Sequence, residues 1–234
     1  MLLNIVFAKI RRVVRSSPFL YFFVLGWRKN VKRLRAREGT EVVIEGFPRS
    51  ANTSSVYVYS YAQKRSVKVG HHLHVIAHVK YAIKRNIPCM VIVRRPLDCV
   101  SSLMVMQKGG DPKALLLDYI SFYKPVLKYS DRLVVISFDK ILGCGIGSAV
   151  EVLNSRFGTD FSVPKGSGSE RDWSVKKIVE WNRVHGGSDP EKLSIPNDKK
   201  REKAEKIKKI IEAECKDLLN EANCLYGSLD PHFV

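Results

Sequence analysis

Acidic residues are in short supply in this chain: 23 Asp and Glu stand against 40 Lys and Arg in 234 residues, a formal charge of +17. Such a surplus argues against a basic partner and for an anionic one, with nucleotide, nucleic acid, polyanionic glycan and membrane all open on charge alone. Paired cysteines are lacking too. Cys89, Cys99, Cys144, Cys215 and Cys224 are odd in number, scattered, and form no Cys-x-x-Cys pair. That speaks against a disulfide framework or a cysteine-built zinc site and fits reduced thiols in a cytoplasmic protein. Long apolar runs are missing: Pro18 to Trp27 gives ten non-polar residues, where about 20 are needed to span a bilayer. The first residues also lack the basic start and small-residue cleavage site of a secretory signal.

What is present is enough to fold. Hydrophobic residues make up 45% of the chain, and the length allows a substantial core without staples. Residues 1–40 form a basic, partly apolar segment, in which the run at Pro18 to Trp27 is followed by Arg28, Lys29, Lys32, Arg33, Arg35 and Arg37. This is the composition of a helix lying on an anionic membrane surface, or of a helix packed on the domain with a solvated basic face. The remainder, 41–234, alternates strand-like and helix-like stretches. Strand-like runs at 41–45, rich in β-branched residues, at 87–93, almost wholly apolar, and at 132–138, with a shorter strand at 66–70, are separated by helical stretches near 55–62, 75–85, 99–106, 112–129 and 146–157. The alternation predicts a parallel α/β sheet, with ligands beyond the carboxyl ends of its strands. Residues 159–171 read as a loop, and one long helix is expected from Asp198 to about Leu225, after Ser194-Ile195-Pro196-Asn197.

Three polar clusters fall at predicted strand ends. The first is Gly46-Phe47-Pro48-Arg49-Ser50-Ala51-Asn52-Thr53-Ser54, a turn leading into a helix whose first amides lack partners and whose dipole favours an anion. Its spacing approaches that of a nucleotide-triphosphate loop, but the lysine is missing and Arg49 supplies the charge instead, which disfavours ATP hydrolysis. The second cluster is His71-His72-Leu73-His74, and the third is Arg94-Arg95-Pro96-Leu97-Asp98-Cys99-Val100-Ser101-Ser102, where Pro96 and Asp98 mark a helix start.

Together the clusters resemble the sulfotransferases that use 3′-phosphoadenosine 5′-phosphosulfate. That family carries a Pro-Lys/Arg-Ser-Gly-Thr/Asn-Thr loop and an Arg-x-Pro-x-Asp-x-x-x-Ser segment, matched here by Pro48 to Thr53 and by Arg94 to Ser102. The likeness covers roughly positions 41–140. It implies a three-layer, P-loop-like parallel sheet flanked by helices. It assigns the phosphosulfate to Arg49, Ser50, Ala51, Asn52, Thr53 and Ser54, and the 3′-phosphate to Arg94 and Ser102. It also implies a catalytic histidine, which by spacing from Arg94 is His72, with His71 and His74 adjacent. No metal is expected. The acceptor is a hydroxyl or amine on a glycan, a lipid-linked group or a small molecule, and no nucleic acid partner is expected. Ala51 stands where the family has glycine, Ser54 stands where many members have an aromatic residue, and no Arg-Lys-Gly segment is evident. A non-catalytic module docking on membrane or polyanion through residues 1–40 and a P-loop nucleotide kinase are the alternative readings.

Overall fold

The computed structural model describes residues 2–185 and 197–234. Three helices come first, α1 (Leu2–Ser16), α2 (Pro18–Leu25) and α3 (Lys29–Leu34). Four short strands follow, each leading into a helix: β1 (Val42–Gly46) into α4 (Asn52–Ala62), β2 (Val69–His71) into α5 (Ile76–Lys84), β3 (Cys89–Val93) into α6 (Pro96–Gln107), and, after α7 (Pro112–Lys128), β4 (Val134–Ser137) into α8 (Phe138–Cys144). The chain ends with α9 (Gly147–Phe157), α10 (Gly168–His185), α11 (Asp198–Glu214) and α12 (Lys216–Leu229).

The strands form one sheet in the order β2-β1-β3-β4, with every pairing parallel. All residues of β1, β3 and β4 are buried, the condition that near-continuous apolar runs meet when helices cover both faces. Alternation along the strands divides the core in two. Val43, Val91, Val93 and Val135 pack with α5, α6, α7, α11 and α12, whereas Val42, Ile44, Met90, Ile92, Val134 and Ile136 pack with α4 and α9. Because all four strands run the same way, their carboxyl ends share one edge, and all three polar clusters emerge there.

The strand and helix expectations hold for most of the chain, with Pro96 opening α6 and Asp98 in its first turn. Four details differ, the first being that Phe138, read as the end of a strand, opens the unanticipated helix α8 with Ser137 as its cap. The second strand is shorter and later than 66–70, because only Val69 to His71 finds partners along β1. The expected loop ends early: Ser167 and Glu170 cap each other reciprocally, the Ser167 amide donating to the Glu170 carboxylate at 3.1 Å and the Glu170 amide to the Ser167 hydroxyl at 3.4 Å, and this starts α10. The expected final helix is two helices, broken where Cys215 leaves helical geometry at φ −130° and ψ 26°. The stretch 194–196 that precedes α11 lies outside the described residues.

Candidate functional site

Gly46 ends β1 in a position that admits no side chain, since a Cβ there would lie 2.6 Å from the Ile92 carbonyl oxygen and 2.9 Å from Asn52 Oδ1. The chain then turns through two left-handed residues, Arg49 (φ 72°) and Ala51 (φ 65°). Ala51 occupies the cap of α4 and offers no side-chain acceptor to the first-turn amides. An uncapped helix start with no acid in its first turn presents a partial positive charge and free donors. Asn52 fixes the turn from inside, Nδ2 donating to the Phe47 carbonyl at 3.1 Å, while its buried Oδ1 has no partner.

Ala51 thus keeps the glycine-type conformation although it carries a Cβ. A left-handed residue with a Cβ costs about 1–2 kcal/mol, against about 0.4–1 kcal/mol of unfolded-state entropy that glycine would add. Ala51→Gly is therefore expected to leave stability unchanged or raise it by up to about 1 kcal/mol. Urea denaturation checks this, and a loss larger than about 0.5 kcal/mol would instead assign the methyl a packing role.

Arg49 ties the first and third clusters together. Its Nε donates to Ser102 Oγ at 3.0 Å, and its backbone carbonyl accepts from an Arg94 Nη at 2.8 Å. The Arg94 guanidinium lies over the Phe138 ring, 4.2 Å from its centroid, and its Nε is buried without a partner. Burial, and then the nearby charge of Arg94, pull the Arg49 pKa below the usual arginine range. Neither guanidinium has a carboxylate partner among the described residues. Asp98, the acid nearest Arg94 in sequence, pairs with Lys208 at 2.7 Å, Asp139 pairs with Arg95 at 3.5 Å, and Glu45, the acid nearest Arg49, accepts from His78 at 2.8 Å.

The histidine turn is held from below. Glu45, fully buried at the end of β1, accepts from the Leu73 amide at 2.8 Å, the His74 amide at 3.1 Å and His78 Nδ1 at 2.8 Å. His78 Nε2 in turn accepts from the Ala36 amide at 2.7 Å, which fixes His78 as a neutral ring protonated on Nδ1. These bonds stabilise two further left-handed residues, His72 (φ 58°) and His74 (φ 52°). Four of the six such non-glycine residues described thus sit in two turns at this edge, the kind of local strain that concentrates at working sites.

His72 Nε2 lies 2.9 Å from Thr53 Oγ1, joining the second cluster to the first, and its Nδ1 lies 2.6 Å from His71 Nδ1. Burial, reinforced by His71 and His74, lowers the His72 pKa to about 3. Burial likewise brings His71 to about 4, so both rings are neutral near pH 7. His74 Nδ1 donates to the Gly46 carbonyl at 2.8 Å.

The structure brings Arg49, Thr53, His72, Arg94 and Ser102 into two contacting groups, and Ala51 and Asn52 shape the turn between them. Ser50 is placed differently from the rest: it is buried, with its hydroxyl 3.4 Å from both Cys99 Sγ and Tyr123 Oη. Ser54, partly buried in the first turn of α4, makes no side-chain hydrogen bond among those described. Cys99 donates to the Pro48 carbonyl at 3.0 Å, and burial pushes its thiol up to about 11. Three residues that sequence reasoning passed over support the site. Glu45 is one. The others are Tyr119 and Tyr123 on α7, whose hydroxyls donate at 2.7 Å to the carbonyls of Arg94 and Ile92, while Tyr123 Oη also accepts the Phe47 amide. Their spacing of four residues on one helix face was the available signal.

A cavity of about 440 Å³ lined by Glu41, Arg65, Asn86 and Pro88 lies at the opposite, amino-terminal edge of the sheet. It contains the Glu41–Arg65 ion pair at 2.6 Å, so its charge is already balanced, unlike that of the arginine cluster. Among the described residues no group of three His, Cys, Asp or Glu is placed to hold a metal ion. No known family and no curated protein matches the chain.

Proposed function

We propose that this protein is a sulfotransferase with a P-loop-like fold, moving a sulfuryl group from 3′-phosphoadenosine 5′-phosphosulfate to a hydroxyl or amine. The observation that carries the reading is the pair Arg49 and Arg94, partly buried side by side, without a carboxylate partner among the described residues, next to an uncapped helix start. Two desolvated like charges are unfavourable alone and favourable around a multiply charged anion.

In this reading the α4 first-turn amides, Thr53 and the Arg49 fork take the phosphosulfate, and Arg94 with Ser102 takes the 3′-phosphate. The bond from sulfur to the leaving phosphate oxygen breaks as the acceptor oxygen or nitrogen bonds to sulfur. Catalysis then rests on positioning and on positive charge at the leaving phosphate. The acceptor proton passes to the free ring nitrogen of His72, whose imidazole is neutral near pH 7 and becomes a stronger base beside a bound polyanion. His74, whose Nδ1 is engaged by the Gly46 carbonyl and whose Nε2 is the remaining ring nitrogen, is the second candidate for that proton. The absent loop lysine disfavours a kinase, which would need magnesium-dependent ATP turnover.

Isothermal calorimetry with 3′-phosphoadenosine 5′-phosphate, AMP and ATP tests this. The 3′,5′-bisphosphate is expected to bind at least about tenfold more tightly than AMP, a difference of about 1.4 kcal/mol, and Arg94→Ala to abolish the preference. Equal binding of all three nucleotides sinks the proposal.

A further inference from the structure

The N-terminal helices are fastened to the body on one side. Arg11 and Arg12 pair with Asp118 of α7 at 2.6 and 2.8 Å, Arg15 donates to the His74 carbonyl at 2.8 Å, and Lys80 donates to the Ser16 carbonyl at 3.0 Å. Tyr21 and Val31, with Val14, Phe22 and Leu25, pack against Val75 and Ala77. That seating accounts for the inner face of the segment, and the outer face is apolar as well. On α1, Val6, Phe7, Ile10 and Val13 are exposed at helical spacing. On α2 and just beyond it, Phe19 is 75% exposed, Phe23 76% and Trp27 69%. The Phe19 and Phe23 rings stack in the open at 5.9 Å.

Soluble surfaces rarely leave so many large apolar side chains together without a partner. The charge beside them identifies the partner. Lys9, Arg28, Lys29, Lys32, Arg33 and Arg37 are exposed in the same segment, and Glu38 is the one acid in its first 40 residues. A second copy would bring the same positive charges face to face, whereas an anionic surface attracts each of them. No helix among the described residues is long and apolar enough to cross a membrane.

We propose that α1, α2 and Trp27 form an interfacial anchor that lies on a bilayer containing anionic lipid, with the aromatic side chains in the acyl boundary and the lysines and arginines at the headgroups. Arg15 bonds this anchor to the histidine turn, so the docked protein keeps its candidate site beside the lipid surface. Docking requires no nucleotide, and it stands or falls separately from the transfer reaction.

Co-sedimentation of the full chain with phosphatidylcholine vesicles, with and without phosphatidylglycerol, tests it. Binding is expected on the anionic vesicles, weakening at high salt. The triple change Phe19→Ser, Phe23→Ser, Trp27→Ser, confined to exposed residues, is expected to weaken it at least about tenfold with an unchanged circular dichroism spectrum. A second variant, Lys29→Glu, Lys32→Glu, Arg33→Glu, is expected to remove the preference for anionic lipid, which keeps the test open should the first variant misfold. Equal binding to neutral and anionic vesicles, or undiminished binding by both variants, overturns the proposal. So does a dimer in sedimentation velocity that the triple change disperses, in the absence of vesicle binding.

Discussion

Replacing Arg49 with alanine is expected to weaken binding of 3′-phosphoadenosine 5′-phosphate at least about a hundredfold, close to 3 kcal/mol, while leaving the unliganded protein as stable as before or more so. Arg49 is partly buried beside Arg94 with no acid among the described residues paired to either charge, and removing one of two desolvated like charges relieves the free protein. The same removal takes away a planar fork and the contact to Ser102. Arg49→Lys should fall between, because the charge remains and the fork does not. Calorimetry gives the affinity, and thermal melting with and without ligand gives the stability. An affinity within threefold of wild type, or a loss of affinity that only tracks a loss of folded protein, would remove Arg49 from the site.

Glu45 carries the second large effect. Its two oxygens receive three donors, from Leu73, His74 and His78, in a fully buried position. Glu45→Ala should cost about 3–5 kcal/mol, since it strands those donors away from water. Glu45→Gln keeps the shape but turns one acceptor oxygen into an NH₂ facing N–H groups, and a loss of at least about 2 kcal/mol is expected. Burial alone would raise the Glu45 pKa. The hydrogen bonds that the carboxylate accepts from the neutral His78 ring and from the Leu73 amide outweigh it and bring the value down to about 2. A carboxylate whose folded pKa is depressed contributes stability in full above its unfolded pKa, near 4.5, and loses it as pH falls toward about 2. Urea denaturation from about pH 7 down to about pH 2 should show an acid limb that Glu45→Gln flattens. A variant within about 1 kcal/mol of wild type with the same limb would contradict this account.

Much of the fold was legible because parallel strands covered on both faces are mostly apolar, as the cores of the runs ending at Glu45, Val93 and Phe138 are. The loop and the Arg94 segment were legible as strings of donors at strand ends. Sequence could not say which way those donors point. Ser50 has the chemistry to bind an anion, yet it packs inward against Tyr123, because the left-handed backbone on either side of it turns its Cβ away from the surface. Ser102 was paired with Arg94 on the strength of the segment they share, but the Arg49 side chain reaches it first, and Arg94 holds the Arg49 carbonyl instead. Glu45 read as one residue of a strand, and its role became visible only when α5 brought His78 beneath the histidine turn. The break at Cys215 left no mark in the apolar spacing, which continues across it, since both helices bury residues against the same cluster. The start of α10 was readable after all, in the Ser-x-x-Glu pattern at Ser167 and Glu170.

The sheet register has a consequence for how stability should be compared between solutions. Val42 lies opposite Val69, Val43 opposite Cys89, and Met90 opposite Val134. No pairing is local, so long stretches of chain must close before any two strand ends line up. In the unfolded chain Arg49 and Arg94 are apart and hydrated, and only completed folding brings their charges together. An anion that recognises the finished arrangement and not the open chain adds to the folding free energy by mass action. Melting temperatures taken in phosphate or sulfate then belong to a different equilibrium from those taken in a buffer without such ions.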